Sequence, residues 1–244
     1  MNKKSNLGAI KQMAIAFLYQ DISETEYSPA IIMHPVFESG FMAIQINNET
    51  KFVNIVESKE SLRLVQKQYE ENILKQNSAF GVYILIRKSY RLTFLKYIKK
   101  YLSLEDMSEL LAHAWTSSEN PNQDANVSLR LICKWFREAK KDILMTESEY
   151  DYYNSLPQII TVYRGVAIGR NPDGLSWTCS RATAEWFANR FNTDVNKGYF
   201  QSMEIDKSLV LAYFNSRGED EVVVDMIKRG EKYGKDQSGD TKRI

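Results

Sequence analysis

Cysteine and histidine are scarce in this chain of 244 residues, which contains two of each. Cys133 and Cys179 are too few for a disulfide framework, so we expect a protein of a reducing, cytoplasmic compartment. His34 and His113 stand apart from each other and from both cysteines. Because a zinc site needs several such ligands at close spacing, the sequence predicts no metal site.

Long apolar runs and an excess of charge are also missing. No stretch of about 18 consecutive apolar residues occurs, so we expect no membrane-spanning helix and no membrane partner. Lys11, Gln12 and Gln20 interrupt the first apolar residues, which argues against an export signal. Lys and Arg together number 32 and Asp and Glu 31, so overall charge favours neither nucleic acid nor an acidic partner.

Apolar residues make up 43% of the chain, which is enough for an ordinary core. Their spacing predicts a helix over residues 7–20, a hairpin over 40–56 and a helix over 59–76. The apolar run Phe80–Ile86 is expected to be a strand, although helices dominate as far as Leu156.

Capping residues mark the starts of two further helices. Ser103 with Asp106, and Thr146 with Glu149, have the spacing of a helix N-terminus. An amphipathic helix is also predicted over residues 127–140.

Strands replace helices after Pro157, with one helix predicted from about Ser180. The predicted strands are Ile159–Tyr163, Leu175–Thr178, Gly198–Ile205, Leu209–Tyr213 and Glu221–Asp225. Residues 228–244 are polar and contain three glycines, so we expect a flexible tail. The fold class that follows is α+β.

Arg164 ends the first of these strands and precedes Gly165. A guanidinium there can grip a diphosphate through two parallel charged hydrogen bonds, and the glycine lets backbone or ligand come close. The alternative is an ordinary strand-end arginine paired with a surface carboxylate.

Ser176 and Thr178 lie two residues apart in a strand, so both hydroxyls face one side and Trp177 faces the other. Such hydroxyls can orient a carboxylate or a ribose. Ordinary strand chemistry is the alternative.

Glu219 and Glu221 stand at the mouth of a strand with the same spacing, so both carboxylates can face one cleft with Asp220 turned away. A fixed carboxylate at Glu221 would stabilise the oxocarbenium charge that develops when nicotinamide leaves its ribose. Glu219, in the preceding turn, would orient and deprotonate an acceptor. A solvated acidic turn is the alternative.

Together these three motifs resemble the signature of ADP-ribosyltransferases of the arginine-serine-glutamate class, which includes bacterial toxins and phage-encoded modifying enzymes. The resemblance covers about residues 159–225 and, more faintly, the helices from Leu104 onward. It implies an ADP-ribosyltransferase-like split, mixed β-core with a preceding helical lobe. The predicted domains are therefore a small α/β extension over 1–80, a catalytic domain over 81–227 with helical lobe 81–156 and β-core 157–227, and a tail over 228–244.

The resemblance also implies roles for single residues, with NAD as co-substrate. Glu221, Glu219, Ser176 and Arg164 would be catalytic, and the NAD-binding residues would be Arg164, Gly165, Ser176, Thr178, Phe191 and Glu221. Asn192–Lys197 would be the phosphate-nicotinamide loop, and Phe214–Asp220 the turn that meets the acceptor. Family members often have serine at the position of Thr178, where the hydroxyl is retained.

A basic, aromatic stretch lies outside these motifs, since no acidic residue occurs between Glu71 and Glu105. A helix there would bury its aromatic side and expose a basic face formed by Lys88, Lys96, Lys99 and Lys100. Such a face can bind RNA or DNA through phosphates. A solvated helix face, or a face that favours the dinucleotide, is the alternative.

The leading hypothesis is an enzyme that cleaves the nicotinamide-ribose bond of NAD and transfers ADP-ribose to a protein arginine or a nucleic acid. By resemblance, it extends to a toxin or phage-conflict effector with an antitoxin or inhibitor as partner. A glycosidase that uses Glu219 and Glu221 is a second hypothesis, which leaves Arg164 and Ser176 without a part. The third is a catalytically inactive nucleic-acid- or partner-binding protein on the same frame.

Overall fold

The structure is a computed structural model that describes residues 3–46, 49–118, 121, 124–193, 195–233 and 241–242. The chain forms two compact units, Met1–Glu119 and Asn120–Ile244. This division falls inside the predicted catalytic domain over 81–227, whose functional boundaries stay a prediction.

The first unit combines helices with two small antiparallel sheets. Its helices are α1 (Leu7–Leu18), α2 (Lys59–Lys75), α3 (Ala79–Tyr83), α4 (Arg91–Ile98) and α5 (Leu104–Ser117). Its strands are β1 (Ser23–Thr25), β2 (Ser28–Met33), β3 (Phe41–Ile46) and β4 (Glu49–Asn54). β1 pairs with β2, and β3 pairs with β4.

The predicted first helix, the hairpin and the helix over 59–76 are confirmed as α1, β3–β4 and α2. Two residues of the predicted hairpin turn, Asn47 and Asn48, lie outside the described residues. The pair β1–β2 was not predicted, because Pro29 and the polar residues around it interrupt the alternating pattern.

The strand predicted at Phe80–Ile86 is wrong, because α3 occupies its first half. Ser78 caps this helix, with its hydroxyl accepting a hydrogen bond of 3.0 Å from the Gly81 N–H. Val82 and Tyr83 are fully buried, so the run is apolar as part of the core. A short apolar run fits a buried helix as well as a strand, and the cap decides between them.

The second unit carries a larger sheet and further helices. Its helices are α6 (Leu129–Glu138), α7 (Lys141–Leu144), α8 (Glu147–Ser155), α9 (Arg181–Asn189) and α10 (Met226–Tyr233). Its strands are β5 (Ile159–Val166), β6 (Ser176–Thr178), β7 (Tyr199–Asp206), β8 (Val210–Phe214), β9 (Glu221–Val224) and β10 (Thr241–Lys242). All five predicted strands and the helix after Ser180 are confirmed.

The strands of the second unit form one sheet in the order β10-β7-β5-β6-β9-β8. The fold class α+β is confirmed. The sheet differs from the split, mixed core that was expected, because every strand pair in the described part of the chain is antiparallel.

The predicted flexible tail begins as a helix, since residues 228–233 belong to α10. Asp225 caps it, because one carboxylate oxygen accepts from the Lys228 N–H at 2.9 Å and its carbonyl accepts from the Arg229 N–H. The composition predicted a flexible tail, but the buried side chain of Asp225 caps α10 and stabilises its first turn. In the described part of the chain, no helix combines the length and apolar character that crossing a membrane requires.

Candidate functional site

The candidate site lies in the middle of the large sheet, where β6 separates β5 from β9. The strand register aligns Tyr163 with Thr178, and Thr178 with Glu221, in one row across the three strands. Ser176 lies two residues before Thr178 on the same face of β6, which makes it the diagonal neighbour of Glu221. The pairing of distant strands therefore brings Ser176 and Glu221 together.

Ser176 and Glu221 form a direct hydrogen bond. The serine Oγ donates to Oε1 of Glu221 at 2.5 Å, and the two residues are 45 positions apart in the chain. Glu221 is only 5% exposed. Because a buried carboxylate is costly without polar partners, this bond both stabilises Glu221 and fixes its orientation.

Arg164 lies beside this pair and is held by the protein backbone. Its guanidinium donates to three carbonyl oxygens, those of Asn171, Pro172 and Ser176. Burial lowers the pKa of Arg164 to about 10, while the negative charge of Glu221 acts to raise it. The side chain therefore stays charged at neutral pH next to Glu221.

These contacts give Arg164 a structural role. The three hydrogen bonds tie the loop after β5 to the start of β6, so the guanidinium fixes the position of Ser176. Binding of a diphosphate by this guanidinium stays a prediction. Its positive charge remains available to a bound anion through the electrostatic field.

The structure also gives Gly165 a part other than NAD binding. A Cβ atom at this position would lie 2.2 Å from the carbonyl oxygen of Ala184 and 2.6 Å from the Ala188 nitrogen. Both residues belong to α9, so the glycine lets this helix pack closely on β5. The close approach of backbone that this glycine allows is therefore shown, and its contact with NAD stays a prediction.

Thr178 likewise uses its hydroxyl within the protein. Its Oγ1 donates to the carbonyl of Glu219 at 2.7 Å and accepts from the Ser180 N–H at 3.0 Å, and the residue is 5% exposed. The hydroxyl therefore has a structural role, and its contact with a ribose stays a prediction. Thr178 joins the start of α9 to the turn that carries Glu219.

The carboxylates of Glu219 and Glu221 both lie near one arginine, although only Glu221 belongs to β9. Nη2 of Arg217 is 2.8 Å from Oε2 of Glu219 and 3.8 Å from Oε2 of Glu221. Asp220 turns away, because its carboxylate accepts a hydrogen bond of 2.7 Å from the Tyr213 hydroxyl. Both assigned acids therefore meet at one place, with a cation between them.

The turn before Glu221 is anchored by residues that the sequence reasoning missed. Oε1 of Glu149 accepts from the Asn215 N–H at 2.7 Å, and the ring of Tyr152 packs against that of Tyr213 with centroids 4.2 Å apart. The Thr146–Glu149 cap was recognised as a helix signal alone. Nothing in the spacing of Glu149 showed that its second oxygen reaches a turn 66 residues later.

A cleft of about 470 Å³ opens between the loop after β5 and the loop after α9. It is lined by Ile168, Gly169, Arg170, Phe191, Thr193 and Asn196. Phe191, predicted to bind NAD, therefore lines an open surface cleft, as does part of the predicted phosphate-nicotinamide loop. Asp194 of that loop lies outside the described residues, and Arg164, Ser176 and Glu221 are not among the lining residues.

The predicted basic face lies in the first unit, on α4 and the 3-10 turns that flank it. Lys88, Lys96 and Lys100 are exposed, whereas Lys99 is half-buried. The opposite side of the helix is core, with Phe94, Leu95 and Ile98 fully buried. The amphipathic pattern is confirmed, and binding of nucleic acid by this face stays a prediction.

The described residues contain no group of three or more His, Cys, Asp or Glu placed to hold a metal ion. His34 is fully buried, and its Nδ1 accepts hydrogen bonds from the Val36 and Phe37 N–H groups. Burial lowers its pKa to about 4. This histidine therefore has a structural part as a neutral side chain.

Comparison with models of protein families, with curated proteins and with solved structures finds no match to this chain.

Proposed function

We propose that this protein is an NAD-dependent mono-ADP-ribosyltransferase, which breaks the bond between nicotinamide and ribose and transfers ADP-ribose to a macromolecule. The observation that carries the proposal is the contact between Ser176 and Glu221, with the charge of Arg164 beside it. A cation, a hydroxyl and an acid from three separate strands converge, in the chain order that the sequence resemblance implies.

Glu221 supplies the central electrostatic effect in this proposal. As nicotinamide leaves, C1′ of the ribose gains positive charge, and a nearby carboxylate stabilises that charge more than it stabilises bound NAD. Burial makes the effect larger than it would be in water. Ser176 holds the carboxylate in one orientation, and Arg164 holds the strand that carries Ser176.

Glu219 serves the acceptor in this proposal. Its carboxylate lies in the turn that leads into β9, and its side chain is 26% exposed against 7% for that of Glu221. A more accessible acid at the edge of the site can orient an incoming nucleophile and take its proton. The bond between Thr178 and the Glu219 carbonyl fixes the backbone of this acid.

The cleft at Phe191 is the place we propose for part of the dinucleotide. Arg170, which lines this cleft, directly precedes Asn171, whose carbonyl accepts a hydrogen bond from Arg164. The guanidinium of Arg190 lies 5.2 Å from the centroid of the Phe191 ring. An aromatic ring and nearby cations are groups that an aromatic, anionic ligand can contact. The low cysteine content supports a cytoplasmic setting for this chemistry.

The glycosidase alternative has less support. A hydrolase of that kind needs space between its two acids for a sugar and a water molecule, whereas Arg217 contacts both carboxylates. It also gives no part to the contact between Ser176 and Glu221. An inactive binding protein does not require the hydroxyl, the acid and the cation to meet at one place.

The proposal is tested by incubating the purified full chain with NAD and measuring the release of free nicotinamide. Release that is proportional to protein is the expected result, and its absence over many hours at high protein concentration overturns the proposal. Labelled NAD in a cell lysate then identifies the acceptor. A label that protease removes indicates a protein acceptor, and a label that nuclease removes indicates RNA or DNA.

A further inference from the structure

A guanidinium from the protein's own turn occupies the place where the proposed function needs an acceptor. Arg217 is the residue, and a single atom of it, Nη2, contacts both Glu219 and Glu221. Glu221 is the acid assigned to the donor ribose, and Glu219 the acid assigned to the acceptor. The side chain of Arg217 is 44% exposed, so a ligand can reach it from solvent.

The backbone of the turn directs Arg217 back toward these acids. Gly218 has φ of 69° and Asp220 has φ of 47°, and the second value is unusual for a residue with a side chain. The Asp220 N–H donates to the Asn215 side chain at 3.1 Å, and the Asp220 carbonyl accepts from the Cys179 N–H at the same distance. Because these bonds hold a strained residue in place, the turn keeps the guanidinium close to the acids.

We propose that Arg217 is itself an acceptor, so that the protein transfers ADP-ribose to its own turn. This inference rests on the proposed function and adds a modification site to it. A nucleophile held beside the reacting groups has a large advantage over one that arrives from solution, because its translational and rotational freedom is already lost.

The transfer is balanced as follows. The bond between C1′ of the ribose and the nicotinamide nitrogen breaks, and its electron pair leaves with neutral nicotinamide. The Nη2 nitrogen of Arg217 forms a new bond to C1′. Its proton passes to the carboxylate of Glu219, which lies 2.8 Å from that nitrogen, and then to solvent.

The test uses the purified full chain with NAD labelled in its adenylate part and no other acceptor. Nicotinamide release and protein labelling are measured in the same tube, and the labelled residue is identified by peptide mass spectrometry. We expect the label on Arg217. Because the transfer is intramolecular, its rate constant should stay the same when the protein concentration changes by about 100-fold.

A substitution and a matched control sharpen the test. Arg217→Lys removes the guanidinium, and the label per nicotinamide released should fall at least about tenfold. Arg130→Lys is the control, because Arg130 is also an exposed arginine beside a glutamate, with Nη1 3.5 Å from Oε1 of Glu231. Labelling of the control should equal that of the unchanged protein.

The outcomes separate the two proposals. Nicotinamide release with Arg217 unlabelled overturns this inference and leaves the proposed function intact. A labelling rate constant that grows with protein concentration also overturns it, since transfer is then between molecules. If the unchanged protein releases no nicotinamide, the proposed function fails and this inference fails with it.

Discussion

At the scale of single residues, the site is defined by how its buried charges are satisfied. Glu221 receives a hydrogen bond from Ser176, and Arg164 places its N–H groups on three carbonyls. Charged side chains that are removed from water need hydrogen-bonding partners such as these. The consequence is a carboxylate with one fixed orientation, which catalysis by charge stabilisation requires.

Glu219→Ala separates the two acids by function. We expect transfer to an acceptor to fall about 100-fold or more, because the acid proposed to take the acceptor's proton is gone. Hydrolysis of NAD should fall less, because Glu221 and Ser176 remain. The measurement compares nicotinamide release with labelled acceptor for the same preparation.

Glu185→Ala is the matched control for this change. Glu185 also lies 2.8 Å from an arginine, Arg181, but on the exposed side of α9. Its loss should leave both activities unchanged. Equal loss of hydrolysis and transfer in Glu219→Ala would show that Glu219 serves the NAD side of the reaction.

The sequence predicted the residues that meet at the site better than the atoms they use. The carboxylates of Glu219 and Glu221 meet as expected, but the turn and not strand alternation brings them together, because Glu219 precedes β9 and Asp220 has φ of 47°. Two sets of hydrogen bonds depend on the tertiary structure: the bond from Thr178 to the Glu219 carbonyl, and the bonds from Arg164 to loop carbonyls. No spacing rule could have shown which backbone groups would be their partners.

At the scale of elements, local signals were sufficient for helix starts. Ser103, Thr146 and Ser180 all accept a hydrogen bond from an N–H three residues later, as their caps predicted. The apolar run Phe80–Ile86 is continuous and shows no helical spacing of apolar residues. The signal that predicts its helix is the capping residue Ser78, which precedes the run. The pairing of β6 with β5 and β9 is non-local, and the sequence alone did not determine it.

Gly165→Ala tests the packing of α9 on β5. The new Cβ atom would meet Ala184 and Ala188 backbone atoms that cannot move without shifting the helix. We expect the free energy of unfolding to fall by about 1–3 kcal/mol. Urea unfolding followed by circular dichroism measures it.

Gly230→Ala in α10 is the control, because nothing lies within 4 Å of the added atom. A glycine replaced by alanine in a helix should stabilise by up to about 1 kcal/mol. If Gly165→Ala behaved like this control, the close approach of α9 to β5 would be refuted.

At the scale of the whole molecule, stability should depend on pH through a half-buried lysine, Lys141. Nζ of Lys141 donates to the carbonyls of Phe136 and Leu211, and burial lowers its pKa from 10.5 to about 8. Between these two values the unfolded chain binds more protons than the folded protein, so this lysine makes stability rise with pH. Below pH 8 the cost of burying its charge is fully present.

Lys141→Met should remove this dependence. The difference in unfolding free energy between the two proteins should change by at most about 1.4 kcal/mol per pH unit, in the window from about pH 8 to pH 9.5. Burial raises the pKa of Cys133 to about 12 and works in the opposite direction, but equally in both proteins. Urea unfolding midpoints of both proteins, measured across this pH window, test the prediction. If the midpoints of the two proteins changed with pH in parallel, the lowered pKa of Lys141 would be contradicted.

The organisation of the chain into units was the least predictable feature. The predicted change from helices to strands after Pro157 is confirmed, and the predicted β-core over 157–227 stays a prediction. The division between Glu119 and Asn120 lies in a polar segment. This segment falls within residues 81–156, which the family resemblance implied to be one helical lobe. Periodicity describes single elements and carries no information on which helices pack together.

The most direct test of the central claim compares nicotinamide release by the unchanged protein, by Glu221→Gln and by Glu204→Gln. Glutamine keeps the size of the side chain and an oxygen for Ser176, but removes the negative charge. Glu204 is an exposed glutamate of β7 and serves as the control. We predict that Glu221→Gln lowers release by at least about 100-fold with unfolding unchanged, and that Glu204→Gln has no effect. Near-normal release by folded Glu221→Gln would contradict the account.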